Sequence, residues 1–345
     1  MQNIRVGVIN WDCSLPRNTY FGYYQTRTLS PKKYRYATPY YADILGEDRI
    51  DYHVRDQAEF DRELCYAIDA GIDYFAYVFY PKTASREHIS LTYNDCSHRV
   101  YELTYARDMH ASSRWRHKIG LAFIVTPTHP ISDEDIAELI AFLHEPYYET
   151  VNGRPLVYLY QSTSVAWMLR IRKACLADGL PVPFFVPMVG EIPEGGGSSL
   201  IDALSGYACA CVGLDNYIGL REEMLAQNRR RLASGHRIIP TFTLGWDPSP
   251  RNDIPCPWCS YPAGVYPAPA SPVALMTGAV ALANWICSEA REAFVGHIMT
   301  FAWNEFEEGA WICPTYREDL SIDTERVQVF AEISAYWKRR LGGWY

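Results

Sequence analysis

Eight short, β-rich apolar runs recur along this chain, and helical patterns separate most of them. That alternation constrains the fold more than any other feature. The runs are IRVGVINW (4–11), DYFAYVFY (73–80), KIGLAFIV (118–125), PLVYLYQ (155–161), PFFVPMV (183–189), DALSGYA (202–208), RIIPTFTL (237–244) and HIMTFAW (297–303). The first, third and seventh are nearly continuous in apolar residues, as parallel strands covered on both faces require. Between strands, residues 56–70 place Phe60, Leu64, Ala67 and Ile68 on one helical face and stop at Gly71. Ser132 followed by acidic residues opens another helix, with Ile136, Leu139, Ile140 and Leu143 in one stripe. Further helical patterns cover 163–178, 214–233, 272–292 and 324–340, and one lies near 96–112. GEIPEGGGSS (190–199) leaves little room for a full helix after the fifth strand.

This order predicts an α/β chain folded as a (β/α)8 TIM barrel, a single catalytic domain over residues 1–345. A doubly wound sheet would call for a Gly-rich phosphate turn after an early strand, and the sequence has none there. The connections 12–55 and 246–271 are rich in Pro, Tyr and Trp, which predicts ordered walls around a cleft at the barrel's C-terminal face.

Composition narrows the function. A formal net charge of -8 and the lack of a basic patch exclude a nucleic-acid footprint. No run approaches ~18 consecutive apolar residues, so no membrane span is expected. The N-terminal MQNIRVGVINWDC lacks the basic and apolar regions of a leader, and the expectation is a cytoplasmic protein with reduced thiols. A secreted or periplasmic protein whose leader has been removed would read the same. The 10 Trp and 26 Tyr combine flat apolar faces with hydrogen-bonding tips, which suits both sugar-binding clefts and an outer core.

In such barrels the chemistry sits at the C-terminal ends of the strands. That rule selects Trp11 and Asp12 after the first strand, Tyr80 after the second, Tyr160 after the fourth and Glu191 after the fifth. It adds Trp246, Asp247 and Arg251 after the seventh, and Trp303, Asn304 and Glu305 after the eighth. In FAWNEFEEGAW (301–311) the glutamates 305, 307 and 308 crowd together after an apolar strand. Glycosidic bond cleavage needs two carboxyl groups, one protonated and one ionised, and proximity alone raises the pKa of one of them. Glu305 at the strand end and Glu308 across a turn closed by Gly309 form the expected pair, with Glu307 facing outward.

NEFEEG (304–309) resembles the Asn-Glu-aromatic-x-Glu-Gly signature of glycoside hydrolase family 99 and of the related WbsX-like proteins, which are labelled glycosyltransferases. GWDPSPR (245–251) is similar to the WbsX-like Gly-Trp-Asp-x-x-Pro-Arg segment. HVRDQAEFDRELCYAIDAGIDYFAYVFYP (53–81) and GRPLVYLYQ (153–161) resemble that group's second βα unit and its Gly-Lys-Pro-Val strand. The third strand departs from the pattern, with FIVTPTH (123–129) where a Trp-Ala-Asn-Glu segment is usual. The resemblance implies a retaining hydrolase of α-mannoside-type linkages, in which the sugar's own 2-hydroxyl attacks the anomeric carbon to give a 1,2-anhydro intermediate. It implies Glu305 as the base on that hydroxyl and Glu308 as the acid/base at the leaving oxygen. Asp247 and Arg251 would orient substrate, and Trp246, Trp303, Tyr80 and Tyr160 would form the sugar platform.

Other constellations carry less. Cys256-Pro-Trp-Cys259 lies in a Pro-rich loop and reads as structural thiols or a local disulfide, with metal and redox readings behind. His53, His98, His117 and His129 lack ligand spacing, and Ser199 lacks a nucleophile elbow. No metal and no cofactor is expected; the partner is an oligosaccharide or polysaccharide. Two alternatives remain open: a WbsX-like glycosyltransferase or polysaccharide-biosynthesis protein, and a carbohydrate-binding protein without turnover.

Overall fold

The computed structural model describes residues 3–11, 20–52, 56–80, 105–126, 132–190 and 199–343. Eight strands form the barrel: β1 (Arg5–Asn10), β2 (Tyr74–Phe79), β3 (Gly120–Val125), β4 (Arg154–Tyr160), β5 (Phe184–Met188), β6 (Ala203–Leu204), β7 (Thr241–Thr243) and β8 (His297–Phe301). Strands β1 to β5 pair in sequence order, all parallel, and β8 then β7 continue the sheet from the other side of β1.

Short β6 closes the ring. It is bridged to β5 at Phe185↔Ile201 and Met188↔Ser205, and it pairs with Arg237–Ile238 just before β7. The seventh apolar run is therefore one strand broken near Pro240, which has no amide hydrogen for the ladder. DALSGYA, the least regular of the eight runs, gives the shortest strand, with Ala203 and Leu204 both fully buried.

Nine helices are described: α1 (Tyr20–Leu29), α2 (Gln57–Asp69), α3 (Tyr105–Ser112), α4 (Asp133–Leu143), α5 (Val165–Ala177), α6 (Tyr217–Ala233), α7 (Ser249–Asp253), α8 (Pro272–Trp285) and α9 (Glu325–Gly342). Their starts follow local chemistry. Asp56 accepts from the Glu59 amide, Asn216 from that of Gly219, and Ser132 with Asp135 forms a reciprocal capping box. The start of the helical pattern near 96–112 and most of GEIPEGGGSS lie outside the described residues.

The floor of the barrel is filled by side chains. Tyr74 on β2 and Tyr158 on β4 meet at 2.8 Å through their hydroxyls, although β3 separates their strands in the sheet. Gly7 makes this possible, because a Cβ there would lie 2.1 Å from the Tyr74 ring. Below them His297 and Arg5 each bond Glu149 at 3.0 Å. The interior is thus solid at the N-terminal end, and open space is left at the other.

The segment Pro272–Ala290, α8 with its π-helical extension, is long and apolar enough by composition to cross a bilayer. Here it packs between α6 and α9, with Leu282 and Ala283 buried and the Trp337 indole donating to the Ala279 carbonyl at 3.0 Å. Its apolar side is covered by these two helices, while Thr277, Asn284, Ser288 and Glu289 face outward.

Candidate active site

The loops after β7 and β8 converge. The Asp247 amide donates to the Glu308 carbonyl at 2.7 Å. Residues 306–308 form one 3-10 turn, closed by Gly309 at φ 73° in the left-handed region. That turn swings Glu308 back toward Glu305. Short helix α7, on the β7 loop, carries Arg251 into the same space.

Arg251 is the centre of the arrangement. Its Nη2 lies 3.4 Å from Glu305 Oε2 and 3.8 Å from Glu307 Oε2, while Nη1 donates to Glu308 Oε1. The Tyr261 hydroxyl also donates to Glu308 Oε1 and accepts from Arg251 Nη1 at 3.0 Å. The three carboxylates are buried, with 3%, 0% and 6% of Glu305, Glu307 and Glu308 exposed. Glu307 therefore does not face outward; it packs under the turn against the guanidinium, because the 3-10 geometry directs it inward.

The electrostatics separate the pair. Burial pushes the Glu305 carboxyl well above its ordinary range, the Glu308 charge adds to this, and Arg251 opposes it. Burial alone would lower the Arg251 pKa, but Glu308, Glu305 and Glu307 outweigh it and raise it, so the cation is permanent. Glu308, bonded by two donors, is held as the acceptor of the pair. A proton held on Glu305 is the reverse of the resting role that the family resemblance implies for it.

Glu305, Glu308 and Arg251 line a cavity of about 940 Å³ at the C-terminal ends of the strands, the size of a small-ligand site. Of the expected aromatic residues, Trp11, Tyr80, Tyr160 and Trp246 line it. The Trp11 indole donates to the Tyr80 hydroxyl at 2.9 Å, and Arg251 lies 5.3 Å over the Trp11 ring. Burial, then Glu308 and Glu305, push the Tyr160 phenol up to about 12, which keeps it a neutral hydrogen-bonding group.

Three of the expected substrate contacts do not line the cavity. Trp303 is 0% exposed and points away from the cavity, its indole donating to Glu63 Oε1 at 2.6 Å. Asn304 clamps the end of β1, accepting from the Trp11 amide at 2.9 Å and donating to the Trp11 carbonyl at 2.7 Å. Asp247 accepts from the Ser249 amide at 3.1 Å, just before α7. All three hold the site from behind. Asp12 and Glu191 lie outside the described residues.

Sequence reasoning missed Tyr207, Trp258 and Tyr261, which also line the cavity. Trp258 and Tyr261 lie in the 246–271 connection, whose aromatic content was the available signal. Tyr207 sits just past β6, 4.9 Å from the Tyr160 ring. Cys256 and Cys259 are free thiols with their sulfurs 2.8 Å apart, and Cys259 faces the cavity 3.7 Å from Arg251 Nη1.

No protein-family model and no curated protein matches the sequence. Solved structures match the fold. A GH99 endo-alpha-mannosidase from Bacteroides thetaiotaomicron, in complex with bis-tris-propane, superposes with a TM-score of 0.61 at 13% identity, covering 98% of each chain. A second structure of that enzyme gives 0.56 at 12% identity, over 97% of this chain and 98% of the other. An exo-beta-1,4-mannosidase from Opitutaceae bacterium strain TAV5 gives 0.50 at 10% identity, over 98% of this chain and 60% of the other. The chain thus has the (β/α)8 fold of the Bacteroides GH99 endo-alpha-mannosidase, matched over nearly the full length of both.

Proposed function

We propose that this protein is a glycoside hydrolase acting on α-mannoside-type linkages, with Glu305 and Glu308 as its working pair. One observation carries the reading: two buried carboxyl groups share a single guanidinium at the base of an aromatic-lined cavity, at the strand ends where barrels perform chemistry. A sugar needs both parts of this arrangement. Its C–H faces stack on rings such as Trp11 and Trp246, and its scissile bond requires one proton donor and one proton acceptor.

The pair supplies one of each. In the first step one carboxyl group protonates the leaving oxygen while the other takes the proton of the sugar's 2-hydroxyl, whose oxygen closes on the anomeric carbon. In the second, water opens the anhydro ring and the two protons return. Each step needs one protonated and one ionised carboxyl group, so the proton belongs to the coupled pair more than to either residue. Arg251 permits this sharing by keeping a positive charge between the two groups.

The test is a panel of α-mannans and other glycans with water as the acceptor and analysis of the released sugars. Net-retained products from wild type, lost in both Glu305→Gln and Glu308→Gln, support the reading. Strict dependence on a nucleotide-sugar donor would make the protein a transferase instead, and binding without turnover would make it a carbohydrate-binding protein.

A further inference from the structure

The cavity has a second charged end, away from the glutamates. Arg231 on α6 forms part of its wall together with Arg230 and Gln227. Arg231 is 4% exposed, and its donors meet neutral acceptors. Nε donates to the Val189 carbonyl at 2.8 Å, Nη1 to Asn228 Oδ1 at 3.3 Å and Nη2 to Gln227 Oε1 at 3.5 Å. The ionisable groups that act on it are the Cys209 thiol and the like-charged Arg230, which itself pairs with Glu223 at 2.6 Å.

The contrast with the other buried arginines is the telling point. Among the described residues Arg107, Arg231 and Arg251 are buried. Arg107 faces Glu138 at 3.0 Å and Arg251 faces its glutamates, but Arg231 has no carboxylate in ion-pair contact among the described residues. A buried charge without a counter-charge is expensive, and burial accordingly lowers the Arg231 pKa to about 10. The fold also makes room for it. A Cβ on Gly206 would lie 2.2 Å from Nη2, so the wall of β6 is bare where the guanidinium crosses it. A strut to the Val189 carbonyl alone could be made by a neutral amide. It would not need a permanent cation at a cavity wall.

We infer that Arg231, with Arg230 beside it, is a subsite for an anionic group on the sugar, and that the cavity takes an acidic glycan. A carboxylate, or a sulfate or phosphate ester, on the substrate supplies a counter-charge that none of the described residues provides. One N–H on each terminal nitrogen of Arg231 has no acceptor among the described residues and is available to an oxyanion. The inference rests on the cavity being a sugar site.

The experiment measures binding to the full chain by calorimetry, without turnover. The probes are glucuronosyl-mannose, its carboxyl-reduced counterpart glucosyl-mannose, and a 6-sulfated glucosyl-mannose, all at one ionic strength. The acidic disaccharide should bind about tenfold tighter than the neutral one, the scale of one charge-assisted hydrogen bond. The sulfated probe separates a uronate site, which it does not fill, from a general oxyanion site, which it does. Arg231→Gln should abolish the preference, Arg231→Lys should keep part of it, and Arg230→Gln on the surface should weaken it without disturbing the fold. Equal binding of the acidic and neutral disaccharides overturns the inference, as does a preference unchanged in both Arg230→Gln and Arg231→Gln, or no binding of any probe. Hydrolysis of neutral mannans together with equal binding removes this inference alone. A retained acidic preference with no hydrolysis of any glycan removes the hydrolase reading alone.

Discussion

Gly245 and Gly309 touch backbone to backbone: a Cβ on Gly245 would lie 2.1 Å from the Gly309 carbonyl oxygen. Beside this contact the Asp247 amide bonds the Glu308 carbonyl, and a Cβ on Gly309 would lie 2.8 Å from that of Asp247. Two segments far apart in sequence are thereby locked together, and Arg251 from one meets Glu305 and Glu308 from the other.

Gly245→Ala should therefore push the two loops apart. We expect a stability loss of about 1–3 kcal/mol, typical of overpacking, read from urea unfolding. Activity should fall further than stability explains, because the shift separates Arg251 from Glu308. Full activity in a folded Gly245→Ala protein would show that this contact does not set the site.

Glu305→Gln and Glu308→Gln should each lower the hydrolysis rate by about 10²–10⁴, the usual contribution of general acid–base catalysis. The double variant should lose little more than the worse single one, since the groups act as a unit. Wild-type activity should decline as pH rises through the raised pKa of Glu305, where its proton is lost. Multiplying losses in the double variant would argue for independent roles.

Glu63 gives a separate pH signature. It is buried on α2 under Trp303, and burial pushes its carboxyl up to about 7 from an ordinary value of 4.5. Between those values the folded protein holds a proton that the unfolded chain has released. Stability must then fall as pH rises through this window, by about 1.4 kcal/mol per pH unit for this group. Glu63→Gln should flatten that part of the profile, checked by chemical denaturation at several pH values between 4.5 and 7. An unchanged slope would mean the burial of Glu63 is not what sets it.

Cys259 should be the thiol that reports on the cavity. The bond from Cys256 is the largest effect lowering its pKa to about 7, burial opposes it, and Arg251 adds to the lowering, so a substantial thiolate fraction is present at neutral pH. Iodoacetamide should inactivate the protein, substrate should protect it, and Cys259→Ser should resist. Buried Cys175, whose thiol burial raises to about 12, should react far more slowly, as peptide mapping can show.

Much of the fold was legible because its cause is local. Apolar runs such as KIGLAFIV can satisfy themselves only as covered strands, and Ser132 or Asp56 starts a helix by bonding an amide three residues away. The position of the glutamates was legible for a similar reason, since a strand end of a barrel points at its mouth. What lay beyond the sequence was direction. Glu307 reads like a solvated loop residue, and Trp303 and Asn304 read like cleft residues, until the turn is folded.

The sequence by itself determined the order of strands and helices, and with it the barrel and the end at which the cavity opens. Only the tertiary structure decided which side chains face that cavity. Tyr207, Trp258 and Tyr261 enter it, Trp303 turns to Glu63, and Arg231 meets no carboxylate among the described residues. Periodicity depends on neighbours a few residues apart, whereas these directions depend on loops from different strands packing against each other, as Gly245 and Gly309 do.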